Sequence, residues 1–157
     1  MLKSAEDQIA YIDHLVLSFR AGRDIEGDLK SLQDAIRSQH ELKQAGAGWY
    51  KSEGNIAVNT ENGKITKSVP CFRHKTVVGL FINKTDGRGE SRWNITHDIS
   101  GLRLAGASTL NKACKCVKDY LSGIDWDKSE AELAFKSNPD YPKIEAALKG
   151  LREAGLR

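Results

Sequence analysis

The chain has 157 residues, with 24 Lys and Arg against 21 Asp and Glu for a net charge of +3, and 39% of it is hydrophobic. That composition supplies a real core and argues against wholesale disorder, and no apolar run approaches the roughly 20 residues needed to span a bilayer. The first ten residues, MLKSAEDQIA, lack the apolar stretch and cleavage site of a secretion signal, and three cysteines form no regular disulfide framework, so a reducing, cytoplasmic setting is expected.

Hydrophobic periodicity predicts an α+β protein: a helical hairpin over residues 1–47, then an α+β domain over 48–157 with an antiparallel meander of four or five strands and helices on one sheet face. In residues 4–21, Ile9, Ile12, Val16 and Phe19 recur at spacings of three and four, Ser4 can cap the start and Gly22 suits the stop. Asp24 can open a second helix with a stripe of Ile25, Leu29, Leu32 and Ile36, running to about Ala45. Isolated helices of this length are marginal in water. Each stripe therefore needs a partner: the other helix, the following domain, or a second copy in a homodimer. His14 and His40 lie within these helices and read as surface or boundary residues.

Residues 49–105 shift to Val, Ile, Thr and aromatic residues. Trp49-Tyr50 and Ile56–Val58 read as short strands, Asn62-Gly63 is a hairpin signal, and Lys64–Val69 follows, with Pro70 limiting it to an edge, a bulge or a strand end. Thr76–Asn83 (TVVGLFIN) is the most apolar stretch and reads as a central strand. Trp93, Ile95 and His97 alternate with Asn94 and Thr96, a half-buried strand, and Asp98–Gly101 makes a tight turn into Leu102–Leu104. Ser108 or Thr109 can cap a helix whose apolar side is Leu110, Ala113, Cys114, Val117, Tyr120 and Leu121, with Cys116 at the boundary and Lys112, Lys115 and Lys118 on another side. Beyond Gly123, Asp125 or Asp127 can cap a segment through Phe135. Ser137–Pro139 breaks it, and Pro142 suits the first turn of a last helix bearing Ile144, Leu148 and Leu151.

Three constellations bear on chemistry. Cys71-Phe72-Arg73-His74 has the C-x-x-H spacing of half a zinc site, which His97, Cys114 or Cys116 would have to complete, but Cys114 and Cys116 point apart on one helix, so no metal or other cofactor is expected. Cys71 or Ser100 could act as a nucleophile with His97, oriented by Asp98. Neighbouring strand residues face opposite ways, however, and there is no G-x-S-x-G, H-E-x-x-H or P-loop, so an enzyme is not the leading expectation. The third constellation is charge. Residues 62–120 hold 11 Lys and Arg against 4 Asp and Glu, a local excess of +7, while the stretches on either side are slightly acidic. Lys and Arg neutralise phosphates, and interleaved aromatics (Phe72, Phe81 and Trp93) could stack on bases, although Phe81 and Trp93 read as core residues and strand edges also carry such charges to block aggregation. The expectation is a non-enzymatic accessory protein that binds nucleic acid through Arg73, Lys75, Arg88, Arg92, Arg103, Ser108, Thr109, Lys112, Lys115 and Lys118. The alternative is a protein-interaction module, such as an inhibitor or adaptor, whose same surface meets an acidic partner protein.

Overall fold

The structure, a computed structural model, describes residues 5–85, 92–134 and 136–156. The chain divides into two compact units, Met1–Lys43 and Gln44–Arg157.

The first unit is built from α1 (Ala5–Arg20) and most of α2 (Glu26–Ala45). Asp24 opens α2 by accepting from the Glu26 amide at 3.0 Å, and Tyr11 Oη donates to Asp28 Oδ1 at 3.1 Å. Within this unit Leu15, Ser18 and Leu32 are buried. The stripe of Ile9, Ile12, Val16 and Phe19 is not: these residues are 60%, 42%, 43% and 69% exposed.

The second unit is α+β. Its five strands, β1 (Trp49–Thr60), β2 (Gly63–His74), β3 (Leu80–Lys84), β4 (Trp93–His97) and β5 (Arg103–Ala107), form one antiparallel meander in chain order. The β1–β2 pair is a continuous twelve-residue hairpin, from Trp49↔His74 to Thr60↔Gly63, where the sequence suggests shorter pieces. Pro70 survives inside β2 because β3 pairs with β2 only at Cys71 and Phe72, so Pro70 lies beyond that pairing, on an edge. The stretch Thr76–Asn83 is not one strand either. Strand β3 begins at Leu80, and Thr76–Gly79 forms the β2–β3 turn, held by the Asp98 amide donating to the Gly79 carbonyl at 2.8 Å.

Side-chain alternation divides the sheet into two faces. Phe72, Leu80, Ile82, Ile95, Ala105 and Ala107 share one face, which is covered by α3 (Leu110–Cys116) through Leu110, Ala113 and Cys114. Val69, Cys71 and Phe81 share the other face, with Ile56 packed on them. Here β1 passes directly over the Phe81 ring at Gly54, where a Cβ would stand 2.9 Å from the ring. The β4–β5 turn is tied back to β1, since the Ala57 amide donates to the Gly101 carbonyl at 2.9 Å. Any side chain at Gly101, whose φ is +65°, would strike that strand. The sheet therefore curls on itself rather than lying flat.

After Cys116 the helix widens into a π turn, Val117–Leu121. The carbonyls this loosens are captured locally: Ser122 Oγ donates to Lys118 O at 2.6 Å, and the buried Trp126 indole donates to Leu121 O at 2.9 Å. The wide turn shifts the phase of the helix beyond Cys116, so Tyr120, expected on the apolar side, is 37% exposed, while Cys116, expected at the boundary, is buried. Tyr120 instead lies on α5 (Tyr141–Glu153), close over Gly150. The short α4 (Glu130–Ala134) starts with a capping box: Ser129 Oγ accepts from the Glu132 amide, and the Glu132 carboxylate accepts from the Ser129 amide at 2.8 Å. Pro142 sits in the first turn of α5, as expected. Among the described residues, no helix is long and apolar enough to cross a membrane.

Candidate functional site

The basic residues picked out by sequence do not form one patch. Arg73 is committed internally. Its guanidinium donates to both Asp98 oxygens at 2.5 and 2.8 Å and to the Glu53 carbonyl at 3.1 Å, and it lies 5.3 Å from the Phe81 ring centroid. Hydrogen bonding to Asp98 raises the pKa of Arg73 further, so this cation serves the fold. Arg103 starts β5, at the opposite end of that strand from Ser108 and Thr109, and it too has an interaction partner. Arg88 lies outside the described residues.

Arg92, Ser108, Thr109, Lys112 and Lys115 lie in or beside α3, with Lys118 in the π turn that follows. The Arg92 amide donates to Ala107 O, which places Arg92 beside Ser108 and Thr109. Thr109 is the N-cap: its backbone is extended and its hydroxyl accepts from the Lys112 amide at 3.2 Å, while Ser108 is exposed. Two of the three lysines have structural tasks. Lys112 Nζ lies about 3.8 Å from where a Gly155 Cβ would be, at the carbonyl end of α5, where a cation complements the helix dipole. Lys118 Nζ donates to the Ala47 carbonyl at 3.2 Å. Lys115 is exposed and makes no ion pair among the described residues. Lys75 is also exposed, and its amide donates to the Gly48 carbonyl. Next to it, His74 packs edge-on against Trp49, and burial together with the Lys118 charge lowers the pKa of its imidazole.

The cysteines are buried thiols. Burial pushes Cys71 up to about 11 and Cys114 up to about 12, and Cys116 moves in the same direction. Cys71 and His74 are three apart on β2 and so face opposite sides of the sheet. Among the described residues, no three His, Cys, Asp or Glu side chains converge as a metal site requires.

A concavity lies elsewhere, between the β4–β5 turn and helices α4 and α5. It is a cleft of about 460 Å³. Leu102, Leu104, Leu133, Ile144 and Leu148 make it apolar, and Glu130, Glu145, Arg103 and Arg152 stand around it. At its inner end are His97 and Ser100. The His97 ring bridges Ser100 Oγ at 2.8 Å from Nδ1 and the Trp126 carbonyl at 2.9 Å from Nε2. Asp98 plays no part, because Arg73 holds it. The structure thus brings together the Ser100–His97 pair raised by the sequence but orients the ring by a main-chain carbonyl 29 residues away. Sequence reasoning misses Trp126, α4 and α5 as site elements, because nothing local in them marks which strand end they cover.

Comparison with known proteins finds no matching family model, no similar curated protein and no similar solved structure.

Proposed function

We propose that this chain is a non-enzymatic protein-interaction module that pairs with a second copy of itself through its helical hairpin. One observation carries the reading: Ile9, Ile12, Val16 and Phe19 follow the 3-4-3 spacing of a coiled-coil seam, and all four are largely exposed. Leu29 and Ile36 of α2 are exposed as well. With only Leu15, Ser18 and Leu32 buried among the described residues of this unit, the hairpin has little core of its own, and helices of this length depend on such packing. A second copy is the occupant that fits the charges. Asp7 stands near the start of α1 and Arg20 in its last turn, and Glu26 and Asp28 open α2 while Lys43 stands in its last turn. Antiparallel pairing across a two-fold axis sets the acidic start of each helix against a basic last turn. Sedimentation of the wild type should give a dimer, and Ile12→Glu with Val16→Glu should give a monomer with unchanged tryptophan fluorescence. A wild type that stays monomeric at tens of micromolar would exclude self-association, and binding of a different protein by the same stripe would replace it.

A second reading is binding of nucleic acid by the sheet unit. Lys75, Lys84, Arg92 and Lys115 are exposed and have no acidic partner among the described residues. The Arg73–Asp98 pair removes one charge of each sign, so the +7 excess of residues 62–120 is undiminished by it. A dimer would present two such surfaces, which strengthens attachment to a long polyanion without new contacts.

A further inference from the structure

We propose that the cleft between the β4–β5 turn and helices α4 and α5 is a binding site for a small apolar molecule bearing one neutral hydrogen-bond donor, an alcohol or a phenol. Its volume of about 460 Å³ falls in the range of ligand sites, and its lining is mainly apolar, with Leu, Ile and Ala side chains set among Tyr141 and four charged residues. The polar end is set by a fixed hydrogen-bond relay. The Trp126 carbonyl can only accept, so His97 Nε2 carries the ring proton and donates it there. In the neutral ring Nδ1 is then the acceptor, and the Ser100 hydroxyl donates its hydrogen to it. With its hydrogen committed, Ser100 Oγ can only accept. It takes the Leu102 amide at 3.2 Å, which leaves room for one further donor. His97 is almost wholly buried, so this relay does not reorient freely, and of Trp126, His97 and Ser100 only Ser100 is partly exposed at the cleft.

The surroundings select for a ligand without net charge. Two acids, Glu130 and Glu145, are matched by two arginines, Arg103 and Arg152, and Glu145 already accepts from the Tyr141 hydroxyl at 2.9 Å. Neither sign dominates, and the apolar lining would strip water from an ion without a dedicated counter-charge. The cleft does not depend on self-association, because every residue lining it belongs to the sheet unit.

The test uses the full chain and a matched pair of probes, 4-butylphenol and butylbenzene, titrated by two-dimensional NMR. Binding of the phenol should shift the Trp126 indole and the Leu104 and Leu148 amides. Butylbenzene should bind the same place roughly two- to tenfold more weakly, the value of one neutral hydrogen bond. Ser100→Ala should erase that difference while leaving butylbenzene binding in place. Ala134→Trp, at an exposed wall position, should plug the cleft and abolish both. The proposal is overturned if neither probe moves the cleft resonances of the wild type, if the two probes bind alike, or if Ala134→Trp leaves binding unchanged. The wild-type comparison and the Ala134 variant decide the matter even if Ser100→Ala proves unstable.

Discussion

Arg73 and Asp98 are 25 residues apart and meet through two charge-assisted hydrogen bonds, with the guanidinium lying over the Phe81 ring. The pair ties the end of β2 to the β4–β5 turn, the turn that also carries Ser100. Both side chains are less than a third exposed, so removing one partner strands a partly desolvated charge. Asp98→Asn should cost about 1–3 kcal/mol in urea unfolding. Arg73→Lys should recover little of the wild-type stability, because an ammonium cannot make the two-pronged contact. Arg73→Met with Asp98→Leu should be closer to wild type than either single change. A double variant as unstable as the sum of the singles would show that the two side chains act independently and that their pairing is not what holds this turn.

Gly79 marks a close approach within the sheet unit. Its φ is +83°, and a Cβ there would lie 2.4 Å from the Trp126 carbonyl carbon. The Trp126 carbonyl is also what orients His97. Gly79→Ala is therefore expected to displace the 124–127 segment and cost about 2–4 kcal/mol, combining backbone strain with a clash that no side-chain rotation relieves. The melting temperature should fall, and the Trp126 indole resonance should lose its hydrogen-bonded position.

The parts of this fold that follow local rules are readable from sequence. The alternation of Trp93, Ile95 and His97 marks β4, Asn62-Gly63 marks the turn of the long hairpin, and Thr109 is the cap. Phase and partnership are not readable in this way. The π turn after Cys116 depends on carbonyls finding Ser122 and the Trp126 indole, and a regular helical wheel without it puts Tyr120 on the wrong side. The cleft is not legible, because α4 and α5 reach the His97 end of the sheet only through tertiary packing. Among the basic residues, sequence locates the charge excess but cannot tell the cations that serve the fold, such as Arg73, from those that face solvent, such as Lys115.

The three cysteines should behave as core thiols. With Cys71 pushed up to about 11 and Cys114 to about 12 by burial, almost no thiolate forms near neutral pH. A thiol-disulfide reagent such as DTNB at mildly alkaline pH should label none of them in the native protein within minutes and all three in denaturant. Rapid stoichiometric labelling of the native protein would show that the sheet unit opens far more readily than its packing implies.

His74 should make stability depend on pH. Burial first, and the Lys118 charge second, disfavour its imidazolium, so its pKa in the folded protein lies below the ordinary 6.5. The unfolded chain then takes up the proton first. The contribution is fully present above the unfolded pKa and is lost as pH falls through it toward the lower folded value. His74→Gln should flatten the decline in melting temperature between about pH 7 and 5. Lys118→Ala should raise the His74 pKa toward its ordinary value, read by NMR titration of the ring protons. An unchanged titration would mean that burial acts alone.

The lysines of α3 and the π turn divide into cations with structural tasks and one that faces solvent. Lys115 projects from the helix without an ion-pair partner among the described residues, so Lys115→Glu should alter stability by less than about 0.5 kcal/mol. Lys112→Glu is different. It sets a carboxylate at the carbonyl end of α5, beside Gly155, where the helix dipole is negative, and should cost about 0.5–1.5 kcal/mol. Lys118→Glu removes a donor from the Ala47 carbonyl and should weaken the turn that leads into β1. Reversing all three at once would therefore confound folding with binding. The clean variant reverses Lys75, Lys84, Arg92 and Lys115, whose charges face solvent. If the sheet unit binds nucleic acid, this variant should melt near the wild-type temperature and bind DNA or RNA much more weakly. Its salt dependence should be shallower by about one for each phosphate that is no longer neutralised. Undiminished, equally salt-sensitive binding by the folded variant would place the nucleic-acid surface elsewhere on the molecule. No binding by the wild type at low salt would leave self-association as the interaction these charges accompany.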